Sequence, residues 1–128
     1  MDKAELILRT KQFALRVFKL VNSLPKNAAG RAVASQLVRC ATSVGANYRA
    51  ACRSRSRAEF AAKIGTVAEE ADESLYWLEL IRDGGLLPRA RVQLLLAEAN
   101  ELTAIFTEAR RTTVQNQTSK IKPQKPRL

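Results

Sequence analysis

Four stretches of the chain repeat apolar residues at steps of three and four, the spacing that lines one face of an α-helix. These stretches run from Asp2 to Ser23, from about Asn27 to Arg53, from Ser56 to Asp83 and from Pro88 to about Gln115. Because the connections between them are short, consecutive helices are expected to be antiparallel. The sequence therefore predicts an all-α, antiparallel up-down-up-down four-helix bundle over residues 1–116. The basic, proline-containing residues 117–128 lack an apolar period, which predicts a disordered tail.

Capping residues mark where these helices begin and end. Ser56 and Glu59 have the spacing of a capping box, in which the serine oxygen accepts a hydrogen bond from the Glu59 amide and the glutamate accepts one from the serine amide. The Gly84–Gly85 pair predicts a left-handed cap at the end of the third helix. In the second helix, the stretch "ATSVGANYRAAC" around Gly45 offers little side-chain bulk, so a partner backbone is expected to approach closely there.

The net charge of +10 is distributed unevenly along the chain. Residues 1–58 carry twelve Lys or Arg against two acids, residues 59–119 carry six against ten, and residues 120–128 carry four against none. No acidic residue occurs between Leu6 and Ala58. Most positive charge in the first half therefore lacks a local partner, and we expect it to face water, a polyanion or the acidic second half of another copy.

The stretch "YRAACRSRSRAEF" holds four arginines within nine residues. Arg49 and Arg53 lie near the end of the second helix, where cations complement the helix dipole, but Arg57 lies in the first turn of the third, where a cation is mildly unfavourable. Together with cations of the first helix, these arginines can contact several phosphates and release their counterions. The candidate nucleic-acid-binding residues are Arg16, Lys19, Arg49, Arg53, Arg55 and Arg57. A merely solvated surface and a docking face for an acidic protein are the alternatives.

The residue types leave little room for catalysis. The chain has no histidine, which removes Ser-His and Cys-His nucleophilic centres and ordinary zinc sites. Cys40 and Cys52 lie about 18 Å apart if they share a helix, so we expect two reduced thiols, with a bridge between subunits as a minor alternative. The acidic run at 69–73 is interpreted as a solvated or salt-bridging face rather than a metal site. We predict no catalytic, cofactor-binding or metal-binding residue.

Tyr76 and Trp77 are the main aromatic candidates for stacking on a nucleic-acid base. Both lie in an apolar stretch with several leucines, which favours a place in the core or in a subunit interface. We therefore assign them no role in binding.

The start of the chain is amphipathic and lacks the uninterrupted apolar run of a secretory signal. No stretch of the sequence approaches the apolar length needed to span a membrane. These features predict a cytoplasmic protein with no membrane partner.

Two motifs resemble those of bacterial four-helix-bundle proteins first noticed as reading frames inside intervening sequences of 23S ribosomal RNA genes. The segment "SQLVRCATSVGANYRAA" resembles the family signature Q-L-x-R-A-x-x-S-(I/V)-x-A-N, through residues that include Gln36, Arg39, Ser43 and Asn47. The segment "SRAEFAAKIGTVAEEADESLYWLELI" is similar to S-x-x-E-F-x-x-K-(L/I)-x-(I/V)-x-x-E-E-A-x-E-x-x-Y-W-L. Many members continue Asn-Ile-Ala-Glu-Gly after the first motif, whereas this chain continues Tyr48-Arg49-Ala50-Ala51 after Asn47.

The resemblance implies an antiparallel four-helix bundle that assembles into a homopentameric ring. It also implies a relationship to the accessory protein of diversity-generating retroelements, which binds nucleic acid and a reverse transcriptase through basic surfaces. No enzymatic activity is implied. We therefore expect a non-enzymatic, oligomeric accessory protein that binds RNA or DNA through a basic surface. The alternative is a docking scaffold for an acidic protein partner such as a reverse transcriptase.

Overall fold

The computed structural model describes residues 1–121, with side chains described through residue 116, and contains four α-helices and no strand in that part of the chain. The helices are α1 (Lys3–Val21), α2 (Ala28–Ala51), α3 (Arg57–Asp83) and α4 (Arg89–Ile121). The predicted all-α, four-helix fold is confirmed. Part of the tail predicted at 117–128 falls within the last turns of α4, and residues 122–128 lie outside the described residues.

Side chains that precede three of the helices accept hydrogen bonds from their first turns. Asp2 caps α1, Asn27 caps α2 and Ser56 caps α3, with donor–acceptor distances of 2.8, 2.9 and 3.1 Å. Each cap stabilises its helix by about 1 kcal/mol. The serine half of the predicted capping box is confirmed. The other half is wrong, because the Glu59 carboxylate accepts from the Arg55 amide at 3.3 Å and also lies 3.4 Å from the Lys63 ammonium.

The end of α3 is a left-handed glycine turn. Gly84 keeps a right-handed conformation, while Gly85 has a φ of 66°, a value that glycine adopts without strain. The Leu86 amide then donates to the Ile81 carbonyl at 3.0 Å, closing the helix end as in a Schellman motif. The chain enters α4 at Arg89, a few residues later.

The buried stripes of all four helices form one hydrophobic core. Its largest fully buried side chains include Phe13, Phe106, Leu37 and Ile64, and the ring of Tyr48 packs at a tilt on Phe106 with centroids 5.2 Å apart. Within the described residues, α1 and α3 each contact α2 and α4 but do not contact each other. The helices therefore occupy the four corners of a bundle, with α1 diagonal to α3.

Close approach of α1 and α2 explains the small residues of α2. A side-chain carbon added at Gly45 would lie 3.3 Å from the Thr10 hydroxyl and 3.6 Å from the Thr10 backbone carbonyl carbon. The buried Thr10 hydroxyl is itself satisfied, because it donates to the Leu6 carbonyl at 2.8 Å. The close approach predicted around Gly45 is thus made by the chain's own first helix.

Candidate nucleic-acid interface

Four of the six candidate residues lie together at the connection between α2 and α3. Arg49 lies in the last turn of α2, Arg53 and Arg55 lie in the connection, and Arg57 is the first residue of α3. All four side chains are exposed. We call this set the arginine cluster.

Backbone hydrogen bonds hold the connection in a compact turn. The Arg53 amide donates to the Ala50 carbonyl at 3.1 Å and the Ser54 amide donates to the Ala51 carbonyl at 3.0 Å. The Arg55 amide donates to Glu59. Because these amides are satisfied within the turn, the backbone is fixed while the arginine side chains extend into solvent.

No ion pair joins the arginine cluster to any carboxylate among the side chains described. Arg9 behaves differently: its guanidinium lies 2.7 Å from Glu98 and 2.8 Å from Glu101, and hydrogen bonds to these carboxylates raise the pKa of Arg9. Arg39 likewise pairs with carboxylates of α3.

The expectation that cations of the first half face water, a polyanion or another copy is therefore wrong for Arg9 and Arg39. The fold brings the acids of α3 and α4 against α1 and α2 of the same chain. The sequence distance between the partners, 89 residues for Arg9 and Glu98, concealed this pairing.

Arg16 and Lys19 lie on a different part of the bundle. Thr10 of α1 packs at the level of Gly45 of α2, and Val21 shares a cleft with Ala34. Arg16 lies six residues after Thr10, toward the cleft that Val21 shares with Ala34, whereas Arg53 lies eight residues after Gly45, on the side away from Ala34. At 1.5 Å per residue, the two arginines are about 20 Å apart along the bundle.

Each group of cations has a neighbour outside the six candidates. Arg16 and Lys19 line a shallow cleft with Arg91 at the start of α4. Arg49 lines another cleft with Lys11 of α1. The structure thus divides the six candidates into the arginine cluster, with Lys11 beside it, and a separate patch of Arg16 and Lys19. The binding role of both groups stays a prediction.

The comparison with known proteins identifies the family. The model of the family described as 23S rRNA-intervening sequence protein matches residues 2–108. The chain belongs to this family. The crystal structure of a protein with unknown function from the S23 ribosomal protein family of Bacteroides thetaiotaomicron is similar, with 27% sequence identity and a TM-score of 0.78. That match covers 87% of this chain and 99% of the other. No curated protein matches the chain. The predicted family is therefore confirmed.

The two motifs that resemble the 23S rRNA-intervening sequence protein family meet across α2 and α3. Arg39 of the first motif pairs with Glu73 and lies 3.6 Å from Glu70, both in the second motif. The Trp77 indole donates to Glu73 at 3.3 Å and its ring packs against the core. Burial outweighs the attraction of Arg39 and raises the pKa of Glu70. These motif residues hold two helices together.

Two of the acids in the run at 69–73 make ion pairs, and the other two are exposed to solvent. Glu70 and Glu73 pair with Arg39, whereas Glu69 and Asp72 are exposed. In the part of the chain that the structure describes, no group of three or more histidine, cysteine or acidic side chains is arranged to hold a metal ion. The salt-bridging interpretation therefore fits Glu70 and Glu73, and the solvated one fits the other two acids.

Tyr76 and the two cysteines differ in how far they are exposed to solvent. Tyr76 is 52% exposed and packs edge-on against Trp77 with ring centroids 5.3 Å apart. Cys40 is buried, Cys52 is partly exposed, and no disulfide joins them within the chain. Among the helices of residues 1–121, none combines the length and the apolar character needed to cross a membrane.

Proposed function

We propose that this protein is a non-enzymatic accessory protein that binds RNA or DNA through the arginine cluster. The observation that carries the proposal is the contrast among its arginines. Arg9 and Arg39 pair with carboxylates of the same chain, whereas the cluster at the α2–α3 connection is exposed and makes no ion pair in the described part. Four exposed cations within nine residues, on a compact turn and the helix ends beside it, can contact neighbouring phosphates.

Electrostatics support a phosphate ligand at this position. Each phosphate that a cation neutralises releases a condensed counterion, and the gain in entropy favours binding. The N-terminus of α3 adds a partial positive charge beside Arg57, and phosphates bind readily at such helix ends. The net charge of +10 attracts a polyanion over a longer range.

The names of the relatives favour ribosomal RNA as the first ligand to test. The family is described by the intervening sequence of 23S rRNA, and the similar solved structure is described as a member of the S23 ribosomal protein family. Ribosomal RNA offers both single-stranded loops and duplex segments. We therefore take fragments of 23S rRNA as the primary probe and duplex DNA as the second.

We further propose that the protein is an antiparallel up-down-up-down bundle that assembles into a homopentameric ring in the cytoplasm. The direction of the helices is supported by side-chain pairs between α1 and α4: Arg9 meets Glu98, whereas Ser23 accepts a hydrogen bond from Arg91 at 2.9 Å. The ring is supported by the resemblance to the accessory protein of diversity-generating retroelements. A ring would present several arginine clusters to one nucleic acid, which raises the overall affinity through multivalency.

The test compares two triple variants with the same change in charge. The first replaces Arg53, Arg55 and Arg57 by glutamate. The control replaces Lys26, Arg31 and Arg89 by glutamate; these three cations are exposed and lie at other connections of the bundle. Binding to fluorescently labelled 23S rRNA fragments is measured by anisotropy over a series of KCl concentrations.

We expect the cluster variant to bind at least about tenfold more weakly than the control. Its plot of log K against log salt should also be shallower by about 2, because each lost phosphate contact removes about 0.7 from the slope on single strands. Equal losses in the two variants, or a wild-type protein that does not bind at low salt, would contradict the proposal. Recovery of an acidic protein partner that survives nuclease treatment, without RNA binding, would support the docking scaffold instead.

A further inference from the structure

The side of α1 that faces away from the core carries exposed apolar side chains. Leu8, Leu15 and Phe18 are 55%, 51% and 42% exposed. Their spacing of seven and three residues places them along one line of the helix, opposite its buried stripe. Leu15 and Phe18 share a shallow groove with Arg16 and Lys19. We call this surface the α1 face. Leu8 lies two turns before Leu15 on the same line, and aligned exposed apolar side chains of this kind can mark an interaction surface.

The charges around the α1 face are mostly positive; the exposed acid of α1, Glu5, lies at its N-terminal end, one turn before Leu8. Lys11, Arg16 and Lys19 are exposed and make no ion pair with the side chains that the structure describes. No acidic residue follows Glu5 in this helix. A partner that fits the α1 face is therefore apolar along its centre and acidic at its edges.

The outer side of α3 has that character. Tyr76 is 52% exposed and Leu80 is 36% exposed. Glu69 and Asp72 lie on the same side one to two turns earlier, are exposed and make no ion pair within residues 1–116, although they share a cleft with Arg110 and Arg111 of α4. We call this surface the α3 face.

One copy of the chain cannot bring these two faces together. α1 and α3 occupy diagonal corners of the bundle and do not contact each other within the described residues, so their outer sides point away from each other. We propose that the α1 face of one copy docks on the α3 face of the next copy. The inference rests on the assembly proposed above and names the surfaces that form it.

Charge decides between this arrangement and its symmetric alternative. Pairing two α1 faces would bring together three cations from each copy with one carboxylate, Glu5, to offset them, and pairing two α3 faces would bring the carboxylates of both copies together. Like charges across an interface suppress such pairings. The contact is therefore heterologous: every copy uses both faces, and the contacts continue from copy to copy until a ring closes or a filament grows.

This arrangement also gives a role to the separate patch of Arg16 and Lys19. Arg16 and Lys19 lie beside the groove of the α1 face and would be covered by the next copy. The arginine cluster lies at the α2–α3 connection, outside both faces, and stays open to a nucleic acid. Apart from Lys11, which lies near both surfaces, self-assembly and phosphate binding then use different cations of the same chain.

The test uses one variant for each face. Leu15→Asp places a carboxylate in the α1 face, and Tyr76→Lys places a cation in the α3 face. Ser35→Asp on the exposed side of α2 is the control for the added charge. Mass is measured by light scattering after nuclease treatment, and far-UV circular dichroism confirms that each variant is folded. Leu15→Ser and Tyr76→Ser replace any variant that does not fold.

Each face variant is expected to be monomeric, whereas wild type and the control assemble. The decisive sample is an equal mixture of the two face variants. Each retains the face that the other lacks, so the mixture should form dimers and nothing larger. Dissociation caused by only one of the two variants would overturn the inference, because it indicates a symmetric contact.

The remaining outcomes separate this inference from the proposed function. A wild type that assembles, together with two face variants that also assemble, would overturn the assignment of the faces and leave the ring standing. A monomeric wild type would overturn the ring and the faces together. Phosphate binding is tested separately, by the anisotropy comparison of the arginine-cluster variant with its control.

Discussion

Replacing Gly30 by alanine tests how tightly the connection between α1 and α2 is folded back on α2. A side-chain carbon at Gly30 would lie 1.8 Å from the carbonyl oxygen of Pro25 and 2.9 Å from its carbonyl carbon. Both contacts are with backbone atoms. The added methyl group can therefore be accommodated only by moving the connection or the first turn of the helix.

The expected cost follows from two opposing effects. Alanine is about 1 kcal/mol better than glycine inside a helix. Against this, the Pro25 carbonyl has to retreat by more than about 1 Å, and overpacking of this kind costs about 1–3 kcal/mol. The shift also disturbs the hydrogen bond from the Gly30 amide to Asn27, and losing a cap costs about 1 kcal/mol. We expect a net loss of about 1–3 kcal/mol.

Gly65→Ala is the matched control, because Gly65 is also buried inside a helix. Its added carbon would lie 2.9 Å from Nε of Arg110, the flexible end of an exposed side chain. Arg110 can rotate away at little cost, so the gain in helix propensity remains and Gly65→Ala should be neutral or stabilising by up to about 1 kcal/mol.

Thermal unfolding followed by far-UV circular dichroism measures both variants. For a chain of this size, 1 kcal/mol corresponds to about 4 °C in Tm. Gly30→Ala should therefore melt about 4–12 °C below wild type, and Gly65→Ala at or slightly above it. A Gly30→Ala protein as stable as wild type, or equal losses in the two variants, would refute the backbone contact.

Two further predictions concern groups whose pKa values the fold raises. Burial raises the pKa of Glu70 despite Arg39 nearby, so the stability that its protonated form contributes is present at low pH and is lost as pH rises through the raised value. Glu70→Gln should therefore exceed wild type in urea-unfolding stability at neutral pH, and this difference should shrink toward pH values below the ordinary range for glutamate. Burial also raises the pKa of Cys40, whereas Cys52 is partly exposed. A thiol reagent should modify one cysteine of the native protein quickly and the other only on unfolding, and Cys52→Ser should remove the fast phase.

The helices and most of their ends could be predicted because the signals are local. The apolar spacing that defines α1, the Ser56 cap and the glycine turn at Gly85 all depend on residues within a few positions of one another. The contact of the Glu59 carboxylate was not predicted, although it too is local. Its carboxylate reaches the amide one residue earlier than expected while Lys63 holds its other oxygen.

The pairing of charges could not be predicted, since it depends on which helices are neighbours. Arg39 and Glu73 are 34 residues apart, and they meet only because α2 packs on α3. For the same reason, the sequence alone placed Arg16 in one binding surface with the arginine cluster. Both belong to a basic stretch of sequence, but Arg16 lies toward the cleft that Val21 shares with Ala34, whereas the cluster lies beyond Gly45 on the side away from Ala34.

The cost of the arginine cluster to folding stability bears on why the cluster is present. Four cations close together repel one another, and Arg57 lies at the positive end of the α3 dipole, where glutamate would instead stabilise the helix by about 0.3–1 kcal/mol. A cluster without a ligand is thus a cost to folding that surface residues ordinarily avoid. If its role is phosphate binding, the triple glutamate variant at Arg53, Arg55 and Arg57 should lose affinity while its Tm stays level or rises, as expected when stability is given up for function. A parallel loss of Tm and affinity would instead mean that the cluster supports the fold, and weaker binding would then say nothing about phosphate contacts.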